Sequence, residues 1–403
     1  MTAPAPEALA GLRVLELGQL IAGPFAARMF SDFGAEVIKV EPPGTGDALR
    51  RWRRLEGGTS LWWRSLARGK RCITCDLRKP QGRDLLRRLL AEGVDVVLES
   101  FRPGRMEAWG LGYEDLRAID PRIIMVRVSG YGQTGPYRQR PGFANVAEAF
   151  GGLRYVSGFP DRPPVRTGVS IGDSLAGLHA AYATLAAVHE RDVVGSGEGQ
   201  QIDVALYESV LSIMESLVPE YDRQGHVRER TGSALPGIVP TNTYRCADGK
   251  FVIIGGNNDS IFRRLMNAIG RADMAEDPRL GDNDGRSAHA AQLDEAIEAW
   301  TLAHDLPAVL AALVEADVPS GPIHSAADLF DDPHVRARGM LEPVPLPDGS
   351  TVRMSRLVPL LSRTPARSHF AGPELGAHNE EIWGERLGLG PQELADLRAT
   401  GVI

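Results

Sequence analysis

The residue in this chain best placed to do chemistry is a carboxylate at the start of an apolar helix. Gly168-Val-Ser-Ile-Gly172-Asp173-Ser174 is a short lead ending in Gly-Asp-Ser, and Leu175 to Leu185 continues as a strongly apolar helical run. Free N–H groups and the helix dipole at such a start favour the ionised acid. An ionised, well-placed carboxylate is a competent nucleophile toward an activated acyl carbon. Asp is equally a common helix cap, and spacing alone does not separate the two roles. Cys72 and Cys75 have the spacing of a redox or zinc pair, but no second pair or nearby histidine completes a site. Three cysteines make no disulfide framework, and no metal site is expected.

The elements that would position Asp173 alternate. Leu12 to Leu17 reads as a strand, Gly23-Pro24 opens a helix to about Phe33, and Glu36 to Val40 is a second strand. Pro80 to Leu90 sets Leu85, Leu86, Leu89 and Leu90 on one helical face. Val94 to Leu98 and Ile123 to Val128 are strands of the buried type. This alternation predicts an α/β fold, a Rossmann-like large domain whose mostly parallel sheet carries helices on both faces. Ligands in such sheets gather beyond the carboxyl ends of the strands.

Gly44-Thr-Gly46 lacks the third spaced glycine of a dinucleotide fingerprint, and no Walker lysine motif is present. Gly195 to Gly199 reads as a turn before a strand at Gln201 to Val204, and a long helix is expected over Val204 to Gln224. A polar linker follows at Gly225 to Gly232. A strand at Lys250 to Ile254 and helices near 259–269, 289–302 and 306–316 then suggest a smaller α+β domain. The expected organisation is a large domain over 1–200 completed by about 340–403, a helix and linker over 201–232, a small domain over 233–325, and a return segment over 326–403. A net charge of -7 argues against a general nucleic-acid binder. No apolar run reaches the roughly 20 residues of a membrane span, and the Pro/Ala start is unlike a signal peptide. A cytoplasmic protein is expected.

Several ordered segments resemble family III CoA-transferases over nearly the whole chain. They are Leu15 to Pro24, Asp32 to Glu41 with Gly44-Thr-Gly-Asp47, Arg68-Gly-Lys-Arg71, Glu99-Ser-Phe-Arg-Pro-Gly104, Ser129 to Pro136, Gly172-Asp-Ser174 and Gly321-Pro-Ile323. The resemblance implies that Asp173 attacks a donor thioester, forms a mixed anhydride and then an aspartyl-CoA thioester, and passes CoA to an acceptor carboxylate. It implies a mobile glycine loop at Gly255 and Gly256 covering that aspartate. CoA is expected at Gln19, Leu20, Ala22 and Lys70, and less directly at Arg71. Where the family often carries an arginine, Ala108 stands here, which turns phosphate contact toward Arg102 or Arg105. The pocket is expected to include Ile21, Phe143, Asn145 and Arg140, with Ile21 and Phe143 making it more apolar than in formyl-CoA transferase.

No permanently bound cofactor is implied; CoA and acyl-CoA are substrates. An interlocked homodimer is implied as well. Within the family the competing activity is α-methylacyl-CoA racemisation, whose histidine is replaced by Phe143 in Arg140-Pro-Gly-Phe-Ala-Asn145. A protein that only binds acyl-CoA would need Asp173 to be a mere cap. Val239 to Tyr244 with Gly255 to Leu265 look most like members acting on small dicarboxylates with succinyl-CoA or acetyl-CoA, and Arg138, Arg140 and Arg166 offer partners for a distal carboxylate.

Overall fold

The computed structural model describes residues 7–403. Its centre is a six-stranded sheet of β1 (Arg13–Glu16), β2 (Glu36–Glu41), β3 (Arg71–Thr74), β4 (Val96–Glu99), β5 (Ile124–Ser129) and β6 (Gln201–Ala205). The order is β3-β2-β1-β4-β5-β6, and every neighbouring pair is parallel. This is the doubly wound order, in which the chain leaves β1 toward one side and β4 toward the other.

Alternate strand residues feed two separate cores, as the period of a strand requires. Val14, Val37, Val96, Ile124 and Val126 pack with Ala26, Ala27 and Phe30 of α1 (Ala22–Asp32). Their neighbours Leu15, Ile38, Val97 and Met125 pack on the other face with the four leucines of α2 (Pro80–Ala91). Ile382 and Trp383, from a helical segment at Glu380–Arg386, complete that second core. The helices that carry or flank the site are α3 (Ala144–Phe150), α4 (Ile171–His189) and α5 (Leu206–Leu211). On α4 the small residues Ala176, Gly177 and Ala180 are buried, which lets its backbone approach α1 closely.

The long helix expected over Val204 to Gln224 does not form. Val204 pairs with Val128 inside the sheet, and α5 stops at Leu211. A second helix, α6 (Leu217–Gln224), follows the interruption. Glu215 in that gap takes a φ of 51°, a left-handed conformation that no helix continues through.

The chain divides into two compact units. The first takes the described residues up to Leu153, then Thr167–Asp222 and Ala337–Ile403; the second takes Arg154–Arg166 and Arg223–Arg336. Residues 154–166 join the second unit because Gly158 bridges Gly232. The second unit holds an antiparallel sheet of β7 (Thr241–Arg245), β8 (Phe251–Gly255) and β9 (Ser320–Pro322), in the order β9-β8-β7. Helices α7 (Asp259–Ala268), α8 (Ala290–Leu302) and α9 (Leu306–Glu315) pack on it around Val252, Ile254, Phe262, Leu265, Ile297 and Leu313. In the first unit a hairpin of β10 (Leu341–Pro345) and β11 (Thr351–Ser355) precedes the helix α10 (Pro391–Ala399).

Candidate active site

The loops after β1, β4 and β5, with Leu206 at the start of α5, meet beyond the carboxyl ends of the strands and enclose a cleft of about 400 Å³. Asp173 lines it, together with Gln19 to Ala22 from the first loop and Ser100 to Pro103 from the loop after β4. This is the switch point of the sheet, where the two loops part and leave a crevice.

Asp173 stands in the first turn of α4, and the cap position belongs to Ser170. The carboxylate is therefore not the helix cap, although it keeps the benefit of the helix's positive end. Gly172 explains the local packing: a Cβ there would lie 3.3 Å from both Ala144 O and Glu148 Cγ. Its absence lets the start of α4 rest on α3, where Glu148 Oε1 accepts the Gly172 N–H at 3.4 Å. On the opposite wall α1 begins at Ala22 without a side-chain cap. First-turn N–H groups of a helix have no intrahelical partner; Pro24 carries none and Phe25 N–H donates to Ile21 O, so the donors this end offers an anion are those of Ala22 and Gly23.

Cations complete the cleft. Arg102, Arg138 and Arg140 line it. The Arg140 guanidinium lies 3.6 Å from the centre of the Tyr137 ring, which fixes its direction. Phe143 lines the cleft and remains 65% exposed, so the wall beside the arginines is apolar. No histidine is among the described residues lining this cleft.

A second cleft of about 440 Å³ adjoins the first through Gln19 and Phe101. It lies beyond β2 and β3 and is lined by Pro42, Pro43, Leu77, Arg78, Arg105 and Trp109 among others. Arg78 holds Asp76 in two hydrogen bonds of 2.8 and 2.9 Å, and this contact keeps the Asp76 carboxyl below its usual range.

Of the expected site residues, Asp173, Gln19, Leu20, Ile21, Ala22, Arg102, Arg140 and Phe143 line the first cleft, and Arg105 lines the second. The remaining ones are not among the residues lining either cleft. Lys70 is wholly buried, and its ammonium donates to Glu16 Oε2 at 2.7 Å and to Pro24 O at 2.8 Å. The expectation that Lys70 meets a CoA phosphate is corrected by that burial. Arg71 pairs with Glu381 at 2.6 Å, and Asn145 is an exposed residue of α3; neither lines these two clefts. Gly255 and Gly256 lie in the second unit, where their N–H groups donate to Pro319 O and Pro240 O. A Cβ on Gly256 would stand 2.6 Å from Leu265 Cδ2 and 3.1 Å from Pro240 Cγ, so a side chain there would have to displace Leu265. Arg166 is also in the second unit.

Ser100 and Arg78 were not singled out from the sequence. Both follow the carboxyl ends of sheet strands, which is the signal that identifies them.

Lys70 belongs to a buried cluster of six charges under the first loop. Glu16 accepts from Lys39 at 2.9 Å and from Lys70 at 2.7 Å, Lys39 lies 3.0 Å from Asp47, and Arg50 clasps Glu41 with two bonds of 2.7 Å. Burial opposes the Lys39 charge, but Glu16, Asp47 and Glu41 outweigh it and hold the pKa above the usual lysine value. For Lys70 burial wins, and its pKa is lowered.

Comparison with known proteins agrees with this architecture. The model of CoA-transferase family III matches residues 9–379. A succinyl-CoA–D-citramalate CoA-transferase of Chloroflexus aurantiacus is 50% identical over 399 residues, covering 99% of this chain and 98% of the relative. A succinate–glutarate CoA-transferase of Agrobacterium fabrum is 36% identical over 384 residues, covering 94% and 95%. A crystal structure of a CaiB/BaiF family protein from Brucella suis superposes with a TM-score of 0.83 at 36% identity, covering 94% of this chain and 99% of that one. The chain belongs to CoA-transferase family III and is a CoA-transferase.

Proposed function

We propose that the enzyme moves CoA from succinyl-CoA to a small dicarboxylic acid of the citramalate or malate class, with Asp173 as the covalent nucleophile. The observation that carries this reading is the placement of the Asp173 carboxylate in a cleft walled by an uncapped helix end and three arginines. A dicarboxylate has one carboxylate to activate and one to hold, and Arg138 and Arg140 are suited to the second. Relatives named for succinyl-CoA with D-citramalate and with L-malate support the substrate class.

A carboxylate oxygen of Asp173 attacks the thioester carbonyl, and the C–S bond breaks to give a mixed anhydride and CoA thiolate. The thiolate attacks the aspartyl carbon, releasing succinate and leaving an aspartyl-CoA thioester. The acceptor carboxylate attacks that thioester to form a new anhydride, again expelling thiolate. Thiolate attack on the acceptor acyl carbon then yields acceptor-CoA and restores Asp173. Each tetrahedral oxyanion needs fixed donors, for which the Ala22 and Gly23 N–H groups at the start of α1 are candidates. The adjoining cleft, with Arg78 and Arg105, is suited to the nucleotide end of CoA. Racemisation would need a proton shuttle, and Phe143 offers none.

We also infer a homodimer, in keeping with the family resemblance. Leu178, Tyr182 and Leu185 of α4 are 48%, 73% and 42% exposed, an apolar stripe suited to a second copy. Light scattering at the mass of one chain refutes it.

Hydroxylamine added during turnover of succinyl-CoA traps the activated aspartate as a hydroxamate. Mass spectrometry is expected to find it on Asp173, and Asp173→Asn is expected to abolish both label and transfer. Undiminished transfer by that variant, with deamidation excluded, refutes the nucleophile. Absence of activity with every dicarboxylate in a donor–acceptor screen refutes the substrate class.

A further inference from the structure

The loop Gly18-Gln19-Leu20-Ile21 leaves β1 and forms the cleft wall that leads into α1. Leu20 has a φ of 67°, a left-handed conformation that costs an ordinary side chain energy and persists only where the surroundings impose it. The surroundings here are specific. Asp47 accepts the Leu20 N–H with both carboxylate oxygens, at 3.2 and 3.1 Å. Ser100 Oγ accepts the Gln19 N–H at 3.0 Å, and Lys39 Nζ donates to Gly18 O at 2.7 Å. Three successive residues are thus tied through their backbones by three different side chains.

Asp47 is itself fixed. It is fully buried, its own N–H donates to Glu41 Oε2 at 2.9 Å, its carboxylate accepts from Leu49 N at 2.9 Å, and Lys39 lies 3.0 Å away. The two N–H groups of Gln19 and Leu20 are consumed by these ties, so they are not donors to substrate. What the ties supply is the position of the loop and of the free helix end that follows it.

We propose that Asp47 is a positioning residue for the transfer reaction: through the Leu20 backbone it holds the loop that walls the cleft beside Asp173, so that the acyl-anhydride stage is kept from water. The proposal rests on this cleft being the site of transfer, and not on which acid is the acceptor. Transfer and hydrolysis diverge at the activated intermediates, since water competes there with thiolate and carboxylate. A displaced loop admits water and leaves the chemistry of Asp173 itself intact. The ratio of thioester lost to water over thioester transferred therefore reports the loop. A merely structural role would scale both rates with the folded fraction and leave that ratio unchanged.

Asp47→Asn replaces one accepting oxygen with a donor and takes the negative charge from beside Lys39. Amide hydrogen exchange read by mass spectrometry is expected to rise at least about tenfold in a peptide covering residues 17–22 and to stay unchanged in β4 and α2. With succinyl-CoA and radiolabelled succinate, the hydrolysis-to-exchange ratio is expected to rise at least about fivefold. Ser100→Ala removes a second tie to the same loop without touching the buried charges. It is expected to move both readouts in the same direction, and it keeps the proposal testable if Asp47→Asn does not fold. An unchanged ratio, or exchange that rises equally in β4, overturns the proposal. Should the unaltered enzyme fail to exchange succinate, the succinyl donor is refuted, and hydrogen exchange of the 17–22 peptide then decides the role of Asp47 alone.

Discussion

One methyl group at position 177 tests whether the contact of α1 with α4 sets the reacting geometry. A Cβ on Gly177 would stand 2.7 Å from Ala22 O, 2.9 Å from Phe25 Cδ1 and 3.1 Å from Phe25 Cβ. Favourable carbon contacts lie at about 3.5–4.0 Å, so the overlap is most of an ångström. Its nearest partner is a backbone oxygen in the first turn of α1, which cannot rotate away. Alanine in a helix interior is favoured over glycine by about 1 kcal/mol, whereas overpacking a filled core costs about 1–3 kcal/mol. The two terms leave Gly177→Ala destabilised by about 0–2 kcal/mol, or a few degrees of Tm in a protein of this size. Activity is expected to suffer more than stability. The overlap is relieved by parting the helices, and Ala22 and Asp173 then move apart across the cleft. A misplacement of about 1 Å costs about a hundredfold, so a shift of half that predicts a fall in kcat of about tenfold. Succinyl-CoA exchange kinetics and a thermal melt on the same preparation give both numbers. A Gly177→Ala enzyme with kcat within about twofold of the parent shows that the helix contact does not set the geometry.

Other positions give independent tests. Glu16→Gln leaves two buried ammoniums facing a neutral amide and is expected to lose about 3–5 kcal/mol of stability, read by urea denaturation; a loss below about 1 kcal/mol refutes the importance assigned to the cluster. Burial pushes the Glu99 carboxyl up to about 7, against the opposing pull of Arg127 and the Phe101 N–H. Its folded pKa therefore exceeds the unfolded value of about 4.3, and the stability this proton contributes is full below that value and lost as pH rises toward 7. Relative to the parent, Glu99→Gln is expected to gain in Tm between pH 5.5 and 7.5, and a constant Tm difference refutes the shift. Arg140→Met is expected to raise the KM about tenfold or more for a dicarboxylic acceptor and for succinyl-CoA, which keeps one free carboxylate, while changing the binding of free CoA little; an unchanged KM for both substrates places Arg140 elsewhere in the reaction.

The parallel sheet was legible because its strands are short apolar runs spaced by helices with leucine or alanine faces. Val14 and Leu15, or Val96 and Val97, look alike in sequence, and only the sheet assigns one of each pair to either core. Asp173 was legible as a first-turn carboxylate, while whether it holds the cap position needed the backbone, which gives the cap to Ser170. Lys70 shows the opposite limit. A lysine in Arg-Gly-Lys-Arg reads as an exposed cation, and its burial depends on Glu16, 54 residues away. The helix expected from Val204 failed because apolar runs do not reveal which residues pair in a sheet, and Val204 does.

The discontinuity of the first unit bears on how the polypeptide matures. Trp383 donates its indole N–H to Thr74 O at 3.1 Å, and Asn379 ties to the Thr74 hydroxyl at 2.8 Å, across more than 300 residues. On the ribosome the sheet strands emerge early and wait for these late residues before one face is sealed, whereas Arg223–Arg336 can collapse by itself in the meantime. Chaperone demand should fall on the nascent sheet, whose leucine face stays open until synthesis nears its end.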